Sequence, residues 1–250
     1  MPILLDFVYF IFLVGVATLF EHYYFWPRLR ARTAAGDPGA RLWAYRRGIA
    51  GQWGFVAALA AIWIYYSRSL TDLRLTAPAG WRLIVSFVLV ALMVAFVAYQ
   101  LTSVLKLSPE RLAAARPKLG KVDFLLPHTR TEHRWFLALS FTAGICEELL
   151  YRGYLVWFLS PWLGLAGAYL GVIVLFGVGH LYQGRKGATR ATAAGAAMTG
   201  FVALTGWLIP AMIIHALIDA GSGTVGYVIL RDDQPPAPEA GLRAAGQVAG

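Results

Sequence analysis

Apolar residues in this chain gather into long runs and do not mark one stripe of otherwise wet helices. Seven runs stand out, at residues 3–20, 48–66, 81–105, 135–159, 163–182, 188–205 and 208–230. Crossing a hydrocarbon core takes about 20 largely apolar residues per helix, so each run is near the length of one span. The sixth is rich in Ala, Gly and Thr and reads equally as a full span, a half-span or a helix buried among its neighbours. The expected fold is all-α, a polytopic transmembrane helical bundle of about seven or eight spans.

Charge in the connections alternates. Arg28, Arg30, Arg32, Arg41, Arg46 and Arg47 follow the first run, and Lys106, Arg111, Arg116, Lys118, Lys121, Arg130 and Arg134 lie between the third and fourth. Arg185, Lys186 and Arg190 follow the fifth, whereas the intervening connections carry Arg68, Arg74 and Arg82 or no cation. This pattern predicts an external amino terminus and a cytoplasmic carboxy terminus. Tyr23, Tyr24, Trp26, Tyr65, Tyr66, Trp81, Trp135, Trp162 and Trp207 at run ends fit interfacial aromatic belts. Ser108-Pro109-Glu110-Arg111 has the form of a helix start, with Ser as N-cap and Pro first in the helix, and predicts a short surface helix over 112–116 or else a solvated linker. The chain divides into N-terminal spans and basic loops (1–134), a membrane core (135–231) and a Pro-, Ala- and Gly-rich tail expected to be disordered (232–250).

Composition sharpens this reading. Hydrophobic residues make up 58% of the 250 residues, well above a soluble domain. The net charge of +9 would suit a nucleic-acid binder, but the cations sit between apolar runs with no basic groove, so the expected partners are the bilayer and a membrane-associated substrate, with no nucleic acid. One cysteine, Cys146, excludes an intrachain disulfide. The first run has no positive segment before it and no small-residue cleavage site after it, so it reads as a retained span. Abundant Ala, Gly and Arg with few Lys suggest a GC-rich bacterial source and hence the plasma membrane.

Three polar sets interrupt the late runs. Cys146-Glu147-Glu148-Leu149-Leu150-Tyr151-Arg152 puts two carboxylates and an arginine in the fourth. A charge at mid-bilayer costs roughly 2.5–3.5 kcal/mol on insertion scales, so compensation is required. Glu148 and Arg152, four apart on one helix face, can pair. Glu147 points about 100° away and lacks that partner, which marks it as functional. Phe176-Gly177-Val178-Gly179-His180 places an aromatic and an imidazole on one face, with glycines permitting close helix approach. His215 and Asp219, again four apart, share a face in the last run.

Glu147-Glu148-x-x-x-Arg152, Phe176-x-x-x-His180 and His215-x-x-x-Asp219, in this order, resemble the three motifs of the CPBP family, which includes CAAX prenyl endopeptidases and bacteriocin-processing, Abi-like relatives. The resemblance implies an intramembrane glutamic protease with no metal and no cofactor. In it, Glu147 and His180 activate a water, His215 and Asp219 support the oxyanion, and Glu148, Arg152 and Phe176 support the site. CAAX endopeptidases carry Asn at the last position. An anionic Asp219 cannot donate to an oxyanion, so it either stays protonated or orients His215.

Other readings of the same residues are a zinc protease, a proton-coupled transporter and a non-catalytic immunity or partner-binding protein. No His-Glu-x-x-His helix and no internal repeat is present to favour the first two. Cys146 is expected to be inert in apolar surroundings. Asp6, Glu21, His22, His128 and His133 are expected to be solvated at interfaces or in loops. Gly164, Gly167 and Gly171 are expected to form a packing seam.

Overall fold

The computed structural model describes residues 2–119 and 122–231. Lys121 and the segment 232–250, expected to be a disordered tail, lie outside the described residues. Among the described residues all regular structure is helical. Five helices are long and apolar enough to cross a membrane: Leu4–Ala34 (α1), Ala40–Tyr65 (α2), Trp81–Leu105 (α3), Arg130–Gly179 and Leu208–Leu230. Seven or eight spans are not reached by length and composition alone.

Part of the difference lies in Arg130–Gly179. Its 50 residues would extend about 75 Å as one rod, more than twice a hydrocarbon core. At Gly164 the backbone turns to φ 66° and ψ 169° and the chain doubles back. Residues 130–163 (α5) and 165–179 (α6) are therefore an antiparallel hairpin: Gly167 meets Leu163, Gly171 meets Leu159, and the Tyr151 and Phe176 rings lie 5.2 Å apart. The helix runs through Pro161, because proline removes one N–H without reversing the chain, whereas the reversal needs a positive φ that glycine tolerates. Gly164 is thus the turn itself and not part of a seam with Gly167 and Gly171.

Gly184–Thr205 (α7) opens on Arg185, Lys186 and Arg190 and is not among the five. It nonetheless lies antiparallel along α6, with Thr192 against Gly177 and Phe176 against Gly195. Leu208–Leu230 (α8) then packs along α5, with Ala216 against Gly144 and Phe136 against Gly223. The short helix after Ser108 forms as Pro109–Leu119 (α4), its Arg111 N–H donating to Ser108 Oγ at 3.5 Å. Leu112 on it is buried with Val104, Val228 and Ile229.

Two connections are recessed into the bundle, and they set the depth of the site. α6 has about fifteen residues and rises roughly 22 Å, less than a full crossing. At the other end α8 begins level with Gly153, against which Leu208 packs. The α2–α3 connection dips in to meet it, Arg74 C=O accepting from Leu208 N–H at 2.9 Å. Irregular backbone at membrane depth is tolerated where protein satisfies it in this way.

Three expectations of solvation are corrected. Asp6 is fully buried, with both oxygens accepting from Arg68 at 2.7 Å, and that guanidinium is boxed by Trp63, Tyr66 and Trp157. His133 lies 2.9 Å from Thr224 Oγ1 and stacks on Tyr227. His128 contacts Asp123 and Arg41. Each gains a partner from a distant segment, which sequence neighbours do not reveal.

Gly164→Val tests the hairpin. No atom lies within 4 Å of the site a Cβ would take, so the cost is conformational alone, about 1–3 kcal/mol for a side chain in a backbone region that essentially only glycine visits. A lowered melting temperature in detergent is the expected result; an unchanged value contradicts the turn.

Candidate active site

The close approach of α5 and α8 builds the site. A Cβ on Gly144 would sit 2.7 Å from Ala216 Cβ, Ala216 N and Met212 O, so only glycine lets the backbones come this near. One turn further along α5, Glu148 Oε1 reaches His215 Nδ1 at 2.8 Å. The same oxygen accepts from Arg152 Nη1 at 3.0 Å, the pair expected from their spacing. A carboxylate paired with a guanidinium accepts only, so His215 Nδ1 carries the proton here.

Arg152 is fully buried and is satisfied from three sides besides Glu148. Nη2 donates to Gly195 C=O at 3.0 Å and Nε to Thr199 Oγ1 at 3.3 Å, both on α7. Its guanidinium carbon stands 4.4 Å from the centre of the Phe176 ring on α6. Arg152 and Phe176 meet because they are equally far along the chain from the Gly164 turn. Glu147 and His180 are nearly so, which brings His180 level with the carboxylates even though it follows a helix end.

Glu147 differs from its neighbour. It is partly open, its side chain 21% exposed against none for Glu148. It does have a partner: Gln52 Nε2 on α2 donates to its Oε1 at 3.2 Å. Its Oε2 lies 4.0 Å from His215 Nε2, and Asp219 Oδ2 lies 3.6 Å from that same nitrogen. His180 Nδ1 lies 2.8 Å from Phe176 C=O, a contact in which the nitrogen must be the donor, leaving Nε2 free to accept. Its ring lies 4.3 Å from that of Phe176, which is 6.2 Å from that of His215. No hydrogen bond or ion pair links His180 directly to Glu147 among the described residues. Glu147, His180 and His215 are nevertheless all within electrostatic range of Asp219.

Two buried acceptors beside these groups, Glu148 Oε2 and Gln52 Oε1, have no hydrogen-bond partner among the described residues. Buried oxygens are rarely left so, and here they adjoin the partly open carboxylate of Glu147. Cys146 is fully buried and free. Among the described residues no set of three or more His, Cys, Asp or Glu is arranged to hold a metal ion.

Sequence reasoning missed Gln52, Tyr151, Gly195 and Thr199. Gln52 had a usable signal, a lone amide within an apolar run. Thr199 and the Gly195 carbonyl had none, because they matter only through the fold that sets α7 against Arg152.

Glu148→Ala leaves Arg152 buried without its counter-charge and frees His215 Nδ1, a loss of about 3–5 kcal/mol. The expected result is a strongly lowered melting temperature, partly restored in the Glu148→Ala, Arg152→Met double variant. Stability equal to the parent in the single variant contradicts a bracing role for the pair.

Residues 130–221 match the family model described as type II CAAX prenyl endopeptidase Rce1-like. No curated protein and no solved structure shows a significant match. The matched residues carry all three polar sets, from Glu147 to Asp219, and over this stretch the chain is similar to the CPBP/CAAX protease family.

Proposed function

We propose that the protein is an intramembrane endopeptidase of the glutamic type, hydrolysing a peptide bond in a membrane-associated protein or peptide. The observation that carries this reading is the unequal fate of two adjacent glutamates. Glu148 is consumed by Arg152 and His215, while Glu147 is held by a neutral amide, half open, and faces no cation but the His215 ring. A carboxylate that accepts only from a neutral amide keeps an oxygen available to take a hydrogen bond, and then a proton, from water.

In the proposed reaction Glu147 takes a proton from water, with His180 Nε2 accepting the second hydrogen bond that aligns it. The oxygen attacks the scissile carbonyl carbon. His215, ringed by Glu147, Glu148 and Asp219, is protonated on both nitrogens during the reaction and donates from Nε2 to the developing oxyanion. Asp219 acts through His215, holding the ring and its charge, which is a role an anionic carboxylate can fill where an asparagine would donate directly. Glu147 then returns its proton to the leaving amine.

The site is reached from the basic end of the bundle. His180 precedes Tyr182, whose carbonyl accepts from Arg30, and the start of α2 at Arg41, the loop holding Leu125 and α4 with Arg116 lie at that same end. By the positive-inside rule that end is cytoplasmic, with the carboxy terminus on the same side.

Glu147→Gln keeps the side-chain shape and removes the base. In purified protein reconstituted into vesicles, it is expected to lower peptide cleavage by about 10²–10⁴-fold with an unchanged melting temperature. Comparing membrane proteomes of cells with parent and Glu147→Gln protein identifies the fragments that vanish; turnover retained in the variant overturns the assigned base. Gln52→Leu is expected to lower kcat about tenfold, with little change in KM, through loss of one hydrogen bond to the base. A glutamic mechanism also requires activity to survive prolonged dialysis against a strong chelator. Loss that zinc restores would replace it with a metal mechanism at the same residues.

A further inference from the structure

A cleft of about 180 Å³ opens beside the site, between α1 and the recessed 180–183 turn. Its walls are Leu19, Tyr23 and Trp26 from α1 and Val178, Leu181 and Tyr182 from the end of α6 and the turn. Trp26 and Tyr182 close one side as stacked rings, 3.7 Å apart and inclined by 9°. His180 lies between Gly179 and Leu181, both of which line it, so the cleft leads to the proposed water-activating pair.

Glu21 also lines this cleft and has no role in the chemistry above. It sits within the apolar α1 and has no hydrogen bond or ion pair among the described residues. Glu147 lies within electrostatic range of it, His22 lines the same cleft, and the guanidinium groups of Arg30 and Arg47 are engaged elsewhere, Arg30 by Tyr182 C=O and Arg47 over the Phe20 ring. An unpaired carboxylate on a membrane helix costs enough that its place needs a reason. Interfacial solvation would suit a residue on the lipid side, whereas Glu21 lines a walled cleft. The cleft thus carries one carboxylate, Glu21, beside Thr18 and the imidazole of His22, among otherwise apolar and aromatic walls.

We propose that this cleft is a specificity subsite of the protease, and that it takes an aliphatic-stemmed cationic side chain, lysine or arginine, close to the scissile bond of the substrate. The apolar walls cover the stem and Glu21 pairs with the charged head, so one residue of the substrate meets both features. The pairing also neutralises Glu21 when substrate is bound, in a site where Glu147 stands close by. This inference rests on the endopeptidase reading and names a substrate feature for it.

The test uses full-length protein in phospholipid vesicles and lipid-anchored peptides that differ at a single position near the cleaved bond, carrying Lys, norleucine or Glu there. The parent is expected to cleave the Lys peptide with a kcat/KM about tenfold above the norleucine peptide, as one charge-assisted hydrogen bond predicts. Glu21→Gln is expected to bring that ratio to within about twofold, and Glu21→Lys to favour the Glu peptide, since complementarity sets preference through charge. Leu19→Trp, which narrows the cleft without touching its charge, is expected to raise KM for all three. Parent protein that cleaves all three peptides equally, or Glu21 variants that cleave with the parental ratio, overturns the subsite and leaves the protease standing. Folded parent protein that cleaves none of them, in an assay where Glu147→Gln protein behaves identically, overturns the protease reading and the subsite with it.

Discussion

A fully buried arginine at membrane depth must find a counter-charge and acceptors for its donors, and in this protein Arg152 finds them on its own helix and on two others. Glu148 supplies the charge from α5, α7 supplies Gly195 C=O and Thr199 Oγ1, and α6 supplies the face of Phe176. Burying an ion pair gains little net energy over packed apolar residues, because desolvation offsets the attraction. Its effect is on uniqueness: α5, α6 and α7 can satisfy Arg152 in one register. α8 is then fixed through the other face of the same carboxylate, where Glu148 Oε1 takes His215 Nδ1. The site geometry is therefore a consequence of solving one solvation problem.

The parts of this arrangement that lie within one helix could be read from sequence. The Glu148–Arg152 spacing, the share of a face between Phe176 and His180 and between His215 and Asp219, and the helical start at Ser108 all follow from 3.6 residues per turn. The resemblance of the ordered motifs pointed to the family that residues 130–221 match. What could not be read was set by pairing between segments. Gln52 on α2 reaches Glu147 across ninety-five positions of chain, and Arg68 reaches Asp6 across sixty-two. Hydropathy sees both Asp6 and Gln52 as isolated polar residues and has no means of placing their partners.

Depth was the other illegible quantity. Straight helices between the polar connections would set His180 near the basic surface and His215 near the opposite one, with Glu147 between them. The hairpin at Gly164 and the two recessed connections remove that spread. α6 is shorter than a full crossing, and α8 starts low because the segment around Arg74 reaches in to cap it. Neither feature alters the apolar content of a run, so hydropathy cannot distinguish a recessed turn from a surface one. The glycine that makes the hairpin possible does appear in the sequence, but beside Gly167 and Gly171 it reads as a packing residue. Its positive φ is what separates it from them.

The two glutamates show how a single helix turn divides structure from chemistry. They are neighbours in sequence, yet about 100° of rotation sends one toward α7 and α8 and the other toward α2. On the first side wait a guanidinium and an imidazole, and both donate to one oxygen of the carboxylate there, which is held as a buried anion. On the second side waits a neutral amide, which orients a carboxylate without neutralising it. Exchanging the surroundings would exchange the roles, since nothing in the side chains themselves distinguishes them. The coupling runs through His215, which takes its orientation from Glu148 by one nitrogen and presents the other to Glu147 and Asp219. A change at Arg152 is thus expected to reach Glu147, the proposed base, without touching it, by loosening Glu148 and then the His215 ring.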